Sequence, residues 1–242
     1  MLAQEQAAAE QSTINWNNNR GALYSGGTLD SSHTIYLPPD RHNYYYGDTY
    51  TKKKIILHYT IGYLGGDLSQ LTRDNIHVSV PYVIARSGRI FEIHDPSFWS
   101  YHLGPRAVGG NKKGSSESIG IELTNIGPLD MAGNWMWNIY GGKYCHIDEY
   151  EYYHALDNPY RGYSYYATFT DEQYSSLASL LELLSTTYDI PLSYLPEPER
   201  YEIFPSSAVA KEYIGVCSHV NFRGFLEKSD IGPAFNWDKI IP

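Results

Sequence analysis

The sequence predicts an α/β domain, and three features carry that expectation. Short apolar runs too brief for helices, residues 55–60, 118–125 and 214–217, read as buried strands. Residues 78–84 and 90–93 flank the turn Arg86-Ser87-Gly88-Arg89 and read as a hairpin. Thr170 with Gln173 makes a capping box, after which Tyr174, Leu177, Leu181, Leu184 and Tyr188 recur at helical spacing and stop before Pro191. The apolar face of that helix is expected to cover the sheet.

A chain of 242 residues has ample material for one large core, and one domain is expected. The net charge of −9 and the lack of a basic stripe exclude a nucleic-acid partner, which would need clustered Lys and Arg for phosphates. The 24 Tyr against 7 Phe point to many half-buried amphipathic surfaces, suited to carbohydrate or peptide contact. Cys145 and Cys217 are the only cysteines, too few for a disulfide framework and too distant for a paired-thiol motif. No apolar run reaches membrane-spanning length, and the N-terminus lacks the basic and apolar regions of a signal peptide.

Taken in order, residues 1–20 are rich in Gln, Ala, Asn and Glu and offer little apolar surface, so a tail or linker is expected there. Residues 21–51 are broken by Gly26-Gly27, Pro38-Pro39 and Gly47-Asp48, with edge strands expected at 34–37 and 43–46. His33 and His42 in this stretch read as surface histidines. After Lys52-Lys53-Lys54 comes the first core strand, with His58 at its C-terminal end. Asp67 is expected to cap a short helix running through Leu68, Leu71 and Arg73. His77 and His94 flank the hairpin and read as structural or exposed. Residues 99–104 form an aromatic loop carrying His102, and 111–118 a Gly/Ser/Lys loop. Residues 127–169 hold two Trp and many Tyr broken by Gly and Pro, a folded insertion. Residues 192–213 are a Pro-interrupted connection to the strand that delivers His219.

Chemistry concentrates at residues 216–237. His219 follows a buried run, Lys228 and Asp230 stand two apart in a polar loop, and Gly232-Pro233 closes it. A His and an Asp returned to one point suit zinc, which takes imidazole nitrogen and carboxylate oxygen and, in catalytic sites, three protein ligands. The stretch by itself equally fits a strand-ending His, a solvated Lys–Asp pair and a Gly-Pro turn. His58 is the candidate third ligand, because polar residues at the carboxyl ends of strands in open α/β sheets sit where ligands gather. Glu122 stands out as a carboxylate inside an apolar strand, costly unless paired or functional. His102 fits either an aromatic stack or a substrate contact.

In chain order, Ile-Leu-His58-Tyr-Thr, Val-Ser-Val-Pro-Tyr-Val-Ile-Ala-Arg-Ser-Gly-Arg-Ile, Tyr-His102-Leu-Gly, Ser-Ile-Gly-Ile-Glu122-Leu-Thr-Asn, Ser-His219 and Lys228-Ser-Asp230-Ile-Gly-Pro resemble the zinc N-acetylmuramoyl-L-alanine amidase family. That family includes phage endolysins, cell-wall amidases and peptidoglycan recognition proteins. The resemblance spans roughly residues 50–240. It implies a central mixed sheet flanked by helices with zinc at one end. It further implies His58, His219 and Asp230 as zinc ligands, Glu122 as catalytic acid/base, Lys228 as catalytic cation, and His102, Tyr59 and Trp99 as substrate-binding residues. One branch of the family has a catalytic Tyr where Val80-Pro81 stands here, and the phage lysozyme branch has Cys where Asp230 stands. Both departures point to the branch that uses a Glu.

The implied reaction is hydrolysis of the amide between N-acetylmuramic acid and L-alanine in peptidoglycan. Water made acidic by zinc would attack, Glu122 would pass its proton to the leaving amine, and Lys228 would hold the developing oxyanion. The expected setting is a phage-type lytic enzyme made in a host cytoplasm and released to the cell wall. The rivals are a recycling amidase acting on soluble muropeptides, a non-catalytic peptidoglycan-binding module, another zinc peptidase, and a virion scaffold. His-Glu-x-x-His is absent, which removes the commonest zinc protease.

Overall fold

Among the described residues, eleven strands and five α-helices build two sheets of unequal burial. The computed structural model describes residues 2–21, 34–36, 43–224 and 227–241; His33, His42 and the expected turns at 26–27 and 38–39 lie outside them. The elements run α1 (Ala3–Gly21), β1 (Thr34–Tyr36), β2 (Lys54–Tyr59), α2 (Leu64–Leu71), β3 (Tyr82–Ile84), β4 (Ile90–Glu92), α3 (Asn111–Ser116) and β5 (Ser118–Leu123). They continue β6 (Pro128–Ala132), β7 (Trp135–Asn138), β8 (Lys143–His146), β9 (Tyr153–Tyr160), β10 (Tyr163–Ala167), α4 (Asp171–Tyr188), α5 (Ser207–Glu212) and β11 (Gly215–Ser218).

The central sheet is mixed, in the order β1-β4-β3-β5-β2-β11. β3, β5, β2 and β11 are parallel neighbours, and the antiparallel β3–β4 hairpin turns at Gly88, whose φ of 80° suits glycine. Ile55 and Leu57 of β2, Ile119, Ile121 and Leu123 of β5, and Val216 of β11 form one cluster with Leu177, Leu180, Leu181 and Leu184 of α4. The capping box at Thr170 and Gln173 is formed at the start of α4. Val83, Phe91 and Ile93 pack instead with Ile14 of α1 and Leu64 and Leu68 of α2. Helices therefore flank the central sheet, as the strand alternation requires when both faces are apolar.

Within residues 1–20, expected as a tail or linker, residues 3–20 form most of α1. Its hydropathy is low because the docking uses polar contacts as well as Ile14: the Glu10 carboxylate accepts from Arg86 N at 3.1 Å and Ser87 N at 2.7 Å. Asp67 does not cap α2, which begins at Leu64. It lies buried in the first turn beside Thr60 and Thr124, so the side chain is committed to tertiary contacts. The expected loop at 111–118 contains the short helix α3.

The Tyr-rich stretch folds into the second, antiparallel sheet, β8-β7-β6-β10-β9. Its tyrosines explain their number by burying rings while donating hydroxyls to carbonyls: Tyr153 to Ile147 at 2.6 Å, Tyr166 to Tyr160 at 2.7 Å, and Tyr160 to Tyr201 at 3.0 Å. Tyr140 donates to the Ile61 carbonyl at 2.9 Å, tying this sheet to the carboxyl end of β2. Cys145 and Cys217 are buried free thiols. No helix among the described residues is long and apolar enough to cross a membrane.

Candidate metal centre

Three parallel strands bring three chemically capable residues to one level. His58 pairs in register with Glu122 across β2 and β5, and Leu57 pairs with Ser218 across β2 and β11, which sets His219 beside His58. β11 ends at Ser218, whose backbone amide donates to Asn221 Oδ1 at 2.9 Å, and a one-turn 3₁₀ helix (His219–Asn221) starts there. The loop beyond is closed by Val220 N donating to the Asp230 carbonyl at 2.8 Å. Asp230 thereby returns to the histidines.

The three side chains form a tight triangle. His58 Nδ1 and His219 Nδ1 are 3.0 Å apart, and Asp230 Oδ2 lies 2.8 Å from His219 Nδ1 and 3.3 Å from His58 Nδ1. All three residues are buried. Ligand atoms around a tetrahedral zinc at 2.0–2.1 Å stand about 3.3 Å apart, close to this spacing.

The surrounding hydrogen bonds assign the tautomers. His219 Nε2 is 3.1 Å from the Leu103 carbonyl, which only accepts, so neutral His219 carries its proton on Nε2 and a lone pair on Nδ1. Ser118 Oγ donates to the Gly114 carbonyl at 2.7 Å and therefore accepts from His102 Nε2 at 2.9 Å. His102 Nδ1 is then an acceptor and takes the proton of His58 Nε2 at 2.9 Å. His58 Nδ1 is left with a lone pair. Two imidazole lone pairs and a carboxylate oxygen crowded within 3.3 Å repel one another unless a cation or proton lies among them, which is the donor set a divalent metal accepts.

Electrostatics agree with that reading. Burial, followed by the neighbouring His219, pushes His58 down to about 4, so it is neutral at pH 7. Burial pushes the Asp230 carboxyl up, but the neighbouring His219, followed by His58 and Lys228, outweighs it and holds the group well below the usual carboxylate range. A neutral His58 imidazole and an ionised Asp230 carboxylate are the protonation states a metal requires of them.

Glu122 is in the opposite condition. Burial, and then the charge of Asp230, drive its carboxyl well above the ordinary range, and Oε2 is buried without a hydrogen-bond partner. It lines a cavity of about 120 Å³ together with Tyr59, Val80, His102, Lys228, His219 and Asp230. Val80 occupies its wall as an apolar side chain. Gly120 makes the packing there feasible, since a Cβ would come within 2.5 Å of Val80 Cγ1 and 3.2 Å of His102 Nδ1.

The residues expected to bind substrate divide into three cases. Tyr59 reaches the cavity, with its hydroxyl 2.5 Å from Ser229 Oγ. His102 also lines the cavity, but both ring nitrogens are committed to His58 and Ser118, so its contact is with the candidate ligand His58. Trp99 lies away from the cavity lining, 3% exposed and stacked on Tyr46 at 4.3 Å, because the loop's aromatics pack on one another. His94 is buried and structural, while His77 stacks on Tyr46. Ser118, Arg161 and the Leu103 carbonyl escape a sequence reading, since a serine at a strand start, an arginine in a hairpin turn and a backbone oxygen carry no local signal.

Residues 48–230 match the family model described as N-acetylmuramoyl-L-alanine amidase. Comparison with curated proteins returns no match. Among solved structures, the chain is similar to the N-acetylmuramyl-L-alanine amidase AmiD from E. coli, in complex with anhydro-N-acetylmuramic acid-L-Ala-D-gamma-Glu-L-Lys, at 22% identity and a TM-score of 0.49, covering 80% of this chain and 58% of that one. AmpDh3 from Pseudomonas aeruginosa, in complex with anhydromuramic pentapeptide, is 16% identical with a TM-score of 0.49, covering 80% and 60%. The amidase LysC from Clostridium intestinale is 13% identical with a TM-score of 0.45, covering 86% and 93%. The chain spans less than two thirds of the AmiD and AmpDh3 chains.

Proposed function

The chain belongs to the N-acetylmuramoyl-L-alanine amidase family, and on that premise we propose that it is a zinc amidohydrolase cutting the bond between N-acetylmuramic acid and L-alanine in peptidoglycan. The observation that carries this reading is the triangle of His58 Nδ1, His219 Nδ1 and Asp230 Oδ2 beside an unpaired, buried Glu122 oxygen. These residues would hold zinc, which when bound supplies Lewis acidity and lowers the pKa of water to about 7.

The remaining work falls to side chains. Glu122 Oε2, without a partner of its own, accepts a proton from the attacking water and returns it to the departing alanine nitrogen. Lys228, in the cavity wall, faces the oxygen on which negative charge develops. His102 and Ser118 hold His58 in the tautomer that presents Nδ1. Tyr59 lies at the wall where stem peptide would pass. Retention of both histidines and the carboxylate favours catalysis over a binding-only role.

We take the polymer as substrate and a phage-type lytic role as the setting, on the strength of the added Tyr-rich sheet beside the cavity. Tyr140, 69% exposed, reaches the carbonyl of cavity-lining Ile61 and extends the contact surface. The test is digestion of purified sacculi followed by mass spectrometry. New L-alanine amino termini on intact sacculi support the reading. Cleavage of small soluble muropeptides with sacculi left untouched would assign a recycling role instead, and no cleavage of either would leave a binding module.

A further inference from the structure

The Tyr-rich sheet also reaches into the loop that carries Asp230. Tyr160 and Tyr163 pair across β9 and β10, leaving Arg161 and Gly162 as a two-residue turn with φ of 49° and 93°. Positive φ at both positions is the backbone such a tight hairpin demands, and glycine at the second makes it feasible. The turn aims the Arg161 side chain at the 219–230 loop. Its Nη1 lies 3.2 Å from the Arg223 carbonyl, 3.0 Å from that of Gly224, and in hydrogen-bond contact with that of Lys228. Nη2 lies 3.4 Å from the Val220 carbonyl.

Four carbonyls of one loop thus converge on a single guanidinium. Carbonyls turned inward in this way need donors, and only arginine presents five in a planar fork. Tyr160 adds a second brace: Arg161 lies over its ring at 5.4 Å, and Gly232 packs against the ring so closely that a Cβ would come within 3.3 Å. The carbonyls of Val220 and Lys228 belong to residues next to His219 and two before Asp230.

We propose that Arg161 is a positioning residue for the metal centre, holding the loop so that His219 and Asp230 meet at His58 and the Lys228 side chain faces the cavity. The insertion is then a working part of the site, acting through the backbone of the ligand loop. The inference rests on the reading of His58, His219 and Asp230 as metal ligands.

The test uses the full chain with Arg161→Ala and Arg161→Lys, the second retaining charge without the fork. Hydrogen exchange of the metal-free protein reads the loop alone: the Val220 amide should lose about 10- to 100-fold protection in both variants, while β2 and β5 amides stay unchanged. Zinc affinity, measured by competition with a chromophoric chelator, should fall about 10- to 100-fold, and added guanidinium should restore part of it in Arg161→Ala. Unchanged loop exchange would overturn the proposal whatever the metal result. A loosened loop with unchanged zinc affinity would also overturn it. If the unsubstituted chain binds zinc no better than His219→Ala, the ligand assignment has failed, and the proposal that rests on it falls even if the loop loosens.

Discussion

His102 Nδ1 accepts the Nε2 proton of His58 at 2.9 Å, and that one bond decides which nitrogen of His58 is available to a metal. Removing the ring frees His58 to change tautomer or rotate. His102→Ala is expected to weaken zinc binding about 10- to 100-fold, the usual cost of losing such a partner. Isothermal titration with zinc measures it. Unaltered affinity, paired with a raised KM for peptidoglycan fragments, would return His102 to the role of substrate contact.

Glu122→Gln keeps the size of the side chain and removes its basicity. Turnover is expected to drop by at least about 10²-fold with zinc content intact, because general acid–base catalysis contributes about 10²- to 10⁴-fold. Metal analysis and single-turnover assays on the same preparation separate the two effects. Near-normal turnover would place the proton transfer on another group.

Chelation is expected to abolish hydrolysis without unfolding the chain. The clusters on both faces of the central sheet are built by apolar side chains, none of them a candidate ligand, so the core does not depend on the ion. Far-ultraviolet circular dichroism before and after chelator checks this. A cooperative loss of signal would show that the metal is structural.

Acid sensitivity has a source outside the metal centre. Burial is the largest cause that takes His94 down to about 4, and its Nε2 is buried without a partner. Above pH 6.5 the ring is neutral in both folded and unfolded chains. Between 6.5 and 4 the unfolded chain takes up the proton and the folded one does not, so stability is full above 6.5 and falls as pH drops towards 4. A shift of this size corresponds to about 3 kcal/mol. Urea unfolding of the native chain and His94→Gln at pH 7.5 and 4.5 should show the native chain losing more on acidification. Parallel losses would remove His94 as the cause.

Glu10 ties α1 to the β3–β4 turn through two backbone amides. Glu10→Ala leaves both donors unpaired in a part-buried place and is expected to cost about 1–3 kcal/mol. Urea unfolding measures the loss. A change below about 0.5 kcal/mol would mean that the helix contributes nothing to the folded domain and behaves as the tail its composition suggests.

The sequence by itself determined the parts whose cause is local. Apolar runs at 55–60, 118–125 and 214–217 became parallel strands in large part, the Thr170–Gln173 box started α4, and His58, Glu122 and His219 could be named because they interrupt or end apolar strands. Only the tertiary structure decided what those residues do to one another. The tautomer of His58 is set by His102, 44 positions away, and His102 in turn by Ser118. Arg161 reaches Lys228 across 67 positions, and Trp99 turned inward to an aromatic stack while Glu10 found the amides of a turn 76 positions on. Hydrogen-bond partners at such separations leave no periodicity in the chain, because they follow from where the strands and the second sheet come to rest.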